Sequence, residues 1–134
     1  MVAQEEIVNT ALIAAVAVGG ALGSIARYLV AIGVGRAFGT SFPWGILIIN
    51  VSGSALIGAF IGLFALRWNL PETVRVFLTV GICGGYTTFS TFSLDAWYLI
   101  ERGQAWSAFA YIAGSVVLSI GALVGAMQLV RALA

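Results

Sequence analysis

The residues of this chain best suited to chemistry carry no charge. Between Gly81 and Ser93 the sequence reads Gly-Ile-Cys-Gly-Gly-Tyr-Thr-Thr-Phe-Ser-Thr-Phe-Ser. Gly84 and Gly85 each weaken a helix by about 1 kcal/mol relative to alanine. Thr87, Thr88, Ser90, Thr91 and Ser93 follow, and such side chains compete with the helical backbone for hydrogen bonds. A straight helix is poorly specified here, so the segment predicts a break. A break opens carbonyls at the end of the first half and N–H groups at the start of the second. Open carbonyls suit a cation, whereas open N–H groups and the helix dipole suit an anion. The segment is therefore an ion-site candidate, with a simple glycine kink in a packed helix as the second reading. Phe89 and Phe92 flank the hydroxyls. An aromatic ring is negative on its face and positive at its edge, so ring edges can face an anion while offering water little.

Other small and polar residues recur at a spacing of four, which is one helix face. The rows are Gly19, Gly23, Arg27; Asn50, Ser54, Gly58, Gly62; and Ser107, Tyr111, Ser115, Ser119. The glycines read as packing positions that let helices approach closely. For Asn50 and the Ser107–Ser119 row, packing and a hydrated path fit equally. A side-chain amide in lipid must find partners, and a continuous hydroxyl row exceeds what helix association needs.

The elements that must position these residues follow from the charges. Of 134 residues, 61% are hydrophobic and 8% charged, against about 25% charged in a soluble domain. Residues 7–26, 37–66, 76–94 and 103–130 contain no charge. About 20 apolar residues span a bilayer, so the expected fold is an all-α membrane protein with four transmembrane helices. The third is broken near the membrane middle, and residues 1–134 form one domain. Helix one is expected from near Ile7 to the mid-thirties and helix two from Pro43 to near Arg67. Helix three should start at Pro71, with Asn69 and Glu72 at capping-box spacing; helix four should run from near Gln104 to near Arg131. Short links around Gly39, Asn69 and Gly103 make neighbours antiparallel. Trp44, Trp68, Trp97 and Trp106 fall at span ends, where indoles sit at headgroup level. The acidic flank Glu5–Glu6 and the length of the first block argue against a secretory signal.

Composition excludes much else. The chain has no His and no Lys, which removes His-anchored haem, His-based zinc, His general bases, Walker-type phosphate loops and Schiff-base chemistry. Cys83 stands alone; it reads as a packed small residue with no redox task. A net charge of +1 provides no basic surface for nucleic acid. There is no paired carboxylate and no Ser with a plausible base, so an enzyme is not expected. Arg67, Arg75 and Arg131 fall on one side of the membrane, Arg36 and Arg102 on the other, with Arg27 within reach of it. That is almost no positive-inside bias, and it predicts insertion both ways up. Arg27 lies roughly 30 Å along helix one from Ile7, where it can snorkel and secondarily attract anions. Asp95, near Trp97, is expected at the interface without a transport role.

The Gly-Gly-Tyr-Thr-Thr-Phe-Ser-Thr-Phe-Ser run, the Pro-Trp-Gly that precedes an apolar stretch ending in Asn50, and the Gly-x-x-x-Arg of helix one resemble the Fluc (CrcB) fluoride channels over nearly the whole chain. The resemblance implies a multi-pass protein of the cell inner (plasma) membrane that exports fluoride passively and reduces fluoride toxicity. It implies an antiparallel, dual-topology homodimer in the lipid bilayer, with two fluoride pores at the subunit interface. Phe89 and Phe92 would line each pore by their ring edges, and Asn50 would donate its side-chain N–H to the anion. Tyr111, Ser115 and Ser119 would form a polar track, Arg27 would stand near the vestibule mouth, and Thr88, Ser90 and Thr91 match the motif. Gly84 and Thr87 would offer backbone carbonyls to a central structural sodium ion. The residues themselves do not select fluoride over another ion. A small multidrug transporter is the nearest rival, but it needs a carboxylate deep in a helix and residues 7–26 have none. A membrane assembly factor would not need the hydroxyl row or the break.

Overall fold

A computed structural model describes residues 8–66 and 69–134. Glu5, Glu6, Ile7, Arg67 and Trp68 lie outside the described residues, so the expectations placed on them have no structural counterpart. The described residues form helices and no strands.

Helix α1 (Thr10–Phe38) begins where the Asn9 side chain accepts the Ala11 N–H at 2.9 Å, an ordinary N-cap. It ends at Gly39, whose φ of 79° only glycine adopts freely. Helix α2 (Trp44–Leu66) follows Pro43, whose carbonyl accepts the Leu47 N–H at 3.3 Å. The third span is assembled from α3 (Glu72–Val76), a π-helical segment (Phe77–Cys83), α4 (Gly84–Tyr86) and, beyond two extended residues, α5 (Phe89–Glu101). A turn at Gly103 (φ 74°) leads into α6 (Ala105–Leu133).

One expectation for the third span needs correction. The Asn69–Glu72 capping box does not form. Pro71 takes the N-cap position, its carbonyl accepting from Val74 and Arg75 at 3.1 and 3.2 Å, and no side chain among the described residues caps the helix. This shifts the start two residues past Asn69, so Glu72 is no longer at the third helical position. The expected break is present near the middle of the span, at Thr87–Thr88 within the Gly81–Ser93 segment. The glycine pair stays helical, with Gly84 at φ −64°, ψ −39°. The glycines serve contact instead. A Cβ on Gly85 would lie 2.5 Å from the Gly20 carbonyl oxygen.

Helices α1, α2 and α6 are each long and apolar enough to cross a membrane. The halves 72–86 and 89–101 are each too short to cross a core of about 30 Å alone; end to end they suffice. Glycines set how the spans pair. A Cβ on Gly19 would meet the Phe77 carbonyl at 2.7 Å and one on Gly23 the Tyr86 N–H nitrogen at 2.8 Å, so α1 runs parallel to 72–86. A Cβ on Gly58 would meet Leu123 and one on Gly62 would meet Met127, so α2 runs parallel to α6. The packing reading of the glycine rows is thus what the structure displays. Beyond the break, α5 leaves α1 and packs on α6 and α2. Phe92, Ala96 and Leu99 close a core with Ala108 and Tyr111, and Phe42, Ile46 and Leu47 pack against it. The outer faces stay apolar, as at Leu29, Val117 and Ile120, which suits lipid. Trp44, Trp97 and Trp106 lie exposed near helix ends.

Candidate ion pathway

The break is held open by one side chain. Thr87 and Thr88 are extended (ψ 158° and 122°). The Thr88 N–H donates to Asn50 Oδ1 at 2.9 Å, and Asn50 Nδ2 donates to the Thr88 carbonyl at 3.0 Å. In an unbroken helix the Thr88 N–H would serve the Gly84 carbonyl. The Thr87 N–H turns back to the Cys83 carbonyl at 3.0 Å, which the Thr87 hydroxyl also reaches at 2.9 Å. The Thr91 N–H, which would serve Thr87, instead donates to Thr88 Oγ1 at 3.2 Å as the N-cap of α5. No donor among the described residues therefore reaches the carbonyls of Gly84, Tyr86 or Thr87. The Phe89 and Ser90 N–H groups open the next helix a few ångströms away. Open dipoles of both signs meet at one place.

That place borders a cavity of about 490 Å³. Asn50, Gly84, Thr87, Thr88, Phe89, Phe92, Ser115 and Ser119 all line it, so three separate stretches of sequence converge. The parallel register of α2 and α6 sets Asn50 level with Ser115 and Ser54 level with Ser119. Ser115 Oγ is buried and has no hydrogen-bond partner among the described residues. Phe92 is 8% exposed and Phe89 79%; their rings lie 5.4 Å apart at 47°. Phe89 thus projects from the chain beside the cavity.

Four expected residues do not line the cavity. Tyr111 lies behind it, fully buried, with its ring 5.1 Å from Phe92 and its hydroxyl donating to Asp95 Oδ2 at 3.4 Å. Ser90 and Thr91 form a hydroxyl cluster around Thr88 Oγ1, at 3.3 and 3.2 Å. Arg27 is one helical turn beyond Gly23 on α1, past the level where α5 departs. Asp95, expected at the interface, is half-buried against Tyr111. Ser54, Thr79 and Cys83 also line the cavity. Ser54 was marked by its row with Asn50; Thr79 and Cys83 carried no sequence signal of this role. Among the described residues no group of three His, Cys, Asp or Glu could hold a metal. The oxygens on offer are neutral carbonyls, which suit a hard monovalent cation at a half-helix end.

Comparison with known proteins bears on what such a cavity does. The sequence model of the CrcB-like protein family, camphor resistance (CrcB), matches residues 14–127. The fluoride-specific ion channel FluC 1 of Nitrobacter hamburgensis is 68% identical over 121 residues, covering 90% of this chain and 96% of that protein. The fluoride-specific ion channel FluC of Nitrobacter winogradskyi is 69% identical over 119 residues, covering 89% and 94%. That of Rhodospirillum centenum is 48% identical over 120 residues, covering 90% and 95%.

Proposed function

The chain belongs to the CrcB family, a multi-pass protein of the plasma membrane, and from that premise we propose that it is a fluoride-selective channel through which fluoride leaves the cell passively, limiting its toxicity. The observation that carries this reading is the charge-free cavity at the Asn50–Thr88 break. Fluoride is small and strongly hydrated, so entering a membrane requires converging donors in place of water. The Asn50 amide has two N–H donors. One is engaged by Thr88, leaving the other for the anion. Ser115 Oγ, buried without a partner, and Ser119 continue the donors along α6. The positive ring edges of Phe89 and Phe92 complete a lining that contains no full positive charge. Arg27, Thr88, Ser90, Thr91 and Tyr111 support the path from its mouth, its N-cap and its rear wall.

A ring 79% exposed beside the cavity calls for a second wall. In this reading an antiparallel second copy supplies it, and the two copies enclose two pores. The nearly balanced arginines suit insertion both ways up. The open carbonyls of Gly84 and Thr87 would hold a sodium ion shared by the copies. Neutral carbonyls at a half-helix end fit such an ion, which would supply a fixed positive charge at the subunit contact. The rival transporter reading is disfavoured because α1 contains no carboxylate.

The test is fluoride efflux from liposomes containing the purified protein, with chloride as comparison. Fluoride efflux without chloride efflux is expected. No efflux, or equal chloride flux, rejects the reading.

A further inference from the structure

The last turn of the first half-helix, ending at Tyr86, carries open carbonyls and has no continuing helix to steady it. Two side-chain bonds from other spans reach it. Ser24 Oγ on α1 donates to the Gly85 carbonyl at 3.4 Å. On the opposite side, the Tyr86 hydroxyl and Ser52 Oγ lie 3.0 Å apart. Ser52 Oγ also donates to the Ile49 carbonyl at 3.2 Å. A serine hydroxyl has one hydrogen, so Tyr86 is the donor to Ser52. Gly53 makes room for the ring, since a Cβ there would come 3.1 Å from Tyr86 Cδ1. Asn50 and Ser52 thus hold the chain on either side of Thr87. Asn50 fixes the start of the second half and Ser52 the end of the first.

We propose that Ser52 and Tyr86 are positioning residues whose hydrogen bond fixes the spacing of the Gly84 and Thr87 carbonyls that bind a monovalent cation at the subunit contact. The proposal rests on the sodium site of the preceding section, and it assigns to that site two side chains that never touch the ion. Without the bond, the end of the half-helix keeps its backbone contact with α1 at Gly20 and Gly23 and its bond from Ser24, but loses its hold on α2. The carbonyls then lose their fixed spacing, while the Asn50–Thr88 pair and the cavity lining on α2 and α6 stay in place.

The test follows thermal unfolding of the purified protein in detergent as sodium replaces N-methylglucamine at constant ionic strength. The wild-type protein should gain stability with sodium. Tyr86→Phe and Ser52→Ala should each raise the sodium concentration for half-maximal stabilisation roughly five-fold, the scale of one lost net hydrogen bond. The double variant should shift no further than either single one, because both remove the same bond. Ser52→Thr, which keeps the hydroxyl, should behave as wild type. If wild type responds to sodium and Tyr86→Phe responds at the same concentration, the positioning role is overturned and the sodium site stands. If wild type is indifferent to sodium, both fall. If Ser52→Thr shifts as far as Ser52→Ala, the hydroxyl is not the agent and the proposal is overturned. Should Tyr86→Phe fail to fold, the Ser52 pair of variants decides alone.

Discussion

The side-chain amide of Asn50 pairs with both backbone groups of Thr88, at 2.9 and 3.0 Å. An amide mirrors a peptide unit, so one side chain stands in for a missing turn of helix. In lipid, unsatisfied backbone groups cost several kcal/mol each, and this pairing meets that cost at Thr88. It also withholds the Thr88 N–H from Gly84, leaving that carbonyl without its helical partner. In the proposed channel, structural support and ion chemistry thus share one residue.

Asn50→Ala should be strongly destabilising. It leaves the Thr88 N–H and carbonyl without these partners, at about 1–3 kcal/mol per group. A clear fall in melting temperature is expected, together with loss of fluoride efflux. Melting at the wild-type temperature would mean that the break is held by something other than this amide.

Ser115→Ala should act in the opposite sense on stability. Ser115 is 6% exposed and its Oγ has no partner among the described residues, so the hydroxyl loses its hydration without compensation. Removing it should leave melting unchanged or raise stability by up to about 1 kcal/mol. Fluoride efflux should nevertheless fall. Lower efflux combined with equal or higher stability marks a group kept for the ion; unchanged efflux would remove Ser115 from the pathway.

The four spans were legible in the sequence because charge is excluded from lipid, and the missing charges outline each span. The break was legible as a region but not as a position. Glycine weakens helices in general, yet Gly85 is helical because its bare backbone packs on Gly20. The position was set by Asn50, 38 residues away in sequence, and no local propensity encodes such a partner. The Asn69 cap failed for a local reason, since Pro71 fixed the helix start. Asn50, Ser115 and Ser119 were visible as rows. That Thr79 and Cys83 share their cavity follows only from how the spans are laid side by side.

Glycine positions on α1 should separate sharply. A Cβ on Gly23 would run into the Ile82 carbonyl oxygen, whereas one on Gly20 meets nothing within 4 Å. Gly23→Ala should cost about 1–3 kcal/mol through overpacking against backbone. Gly20→Ala should be neutral or stabilise by up to about 1 kcal/mol through helix propensity. Melting and monodispersity of the two purified variants check this; equal behaviour would count against the close α1 contact.

Topology offers a prediction independent of the cavity. Arg36 and Arg102 lie at one end of the helices and Arg75 and Arg131 at the other, with too little difference to fix orientation. A C-terminal fusion to a reporter active only in the cytosol, paired with one active only outside it, should give signal from both. Signal from one alone would exclude dual topology.

Phe89→Ile and Phe92→Ile should agree in transport and differ in stability. Isoleucine keeps apolar bulk but has no positive ring edge to offer an anion, so each variant should conduct fluoride poorly. Phe92 is packed on Tyr111 at 5.1 Å within the core. Its replacement should also cost about 1 kcal/mol, the scale of one aromatic pair. Phe89 is 79% exposed, with its ring centroid 5.4 Å from that of Phe92, so within one chain its replacement costs less. A stability loss at Phe89 as large as at Phe92 would have to come from outside the chain, which is where a second copy would cover the ring. Normal fluoride flux in both variants would end the ring-edge account, because the cavity would then conduct with amide and hydroxyl donors alone.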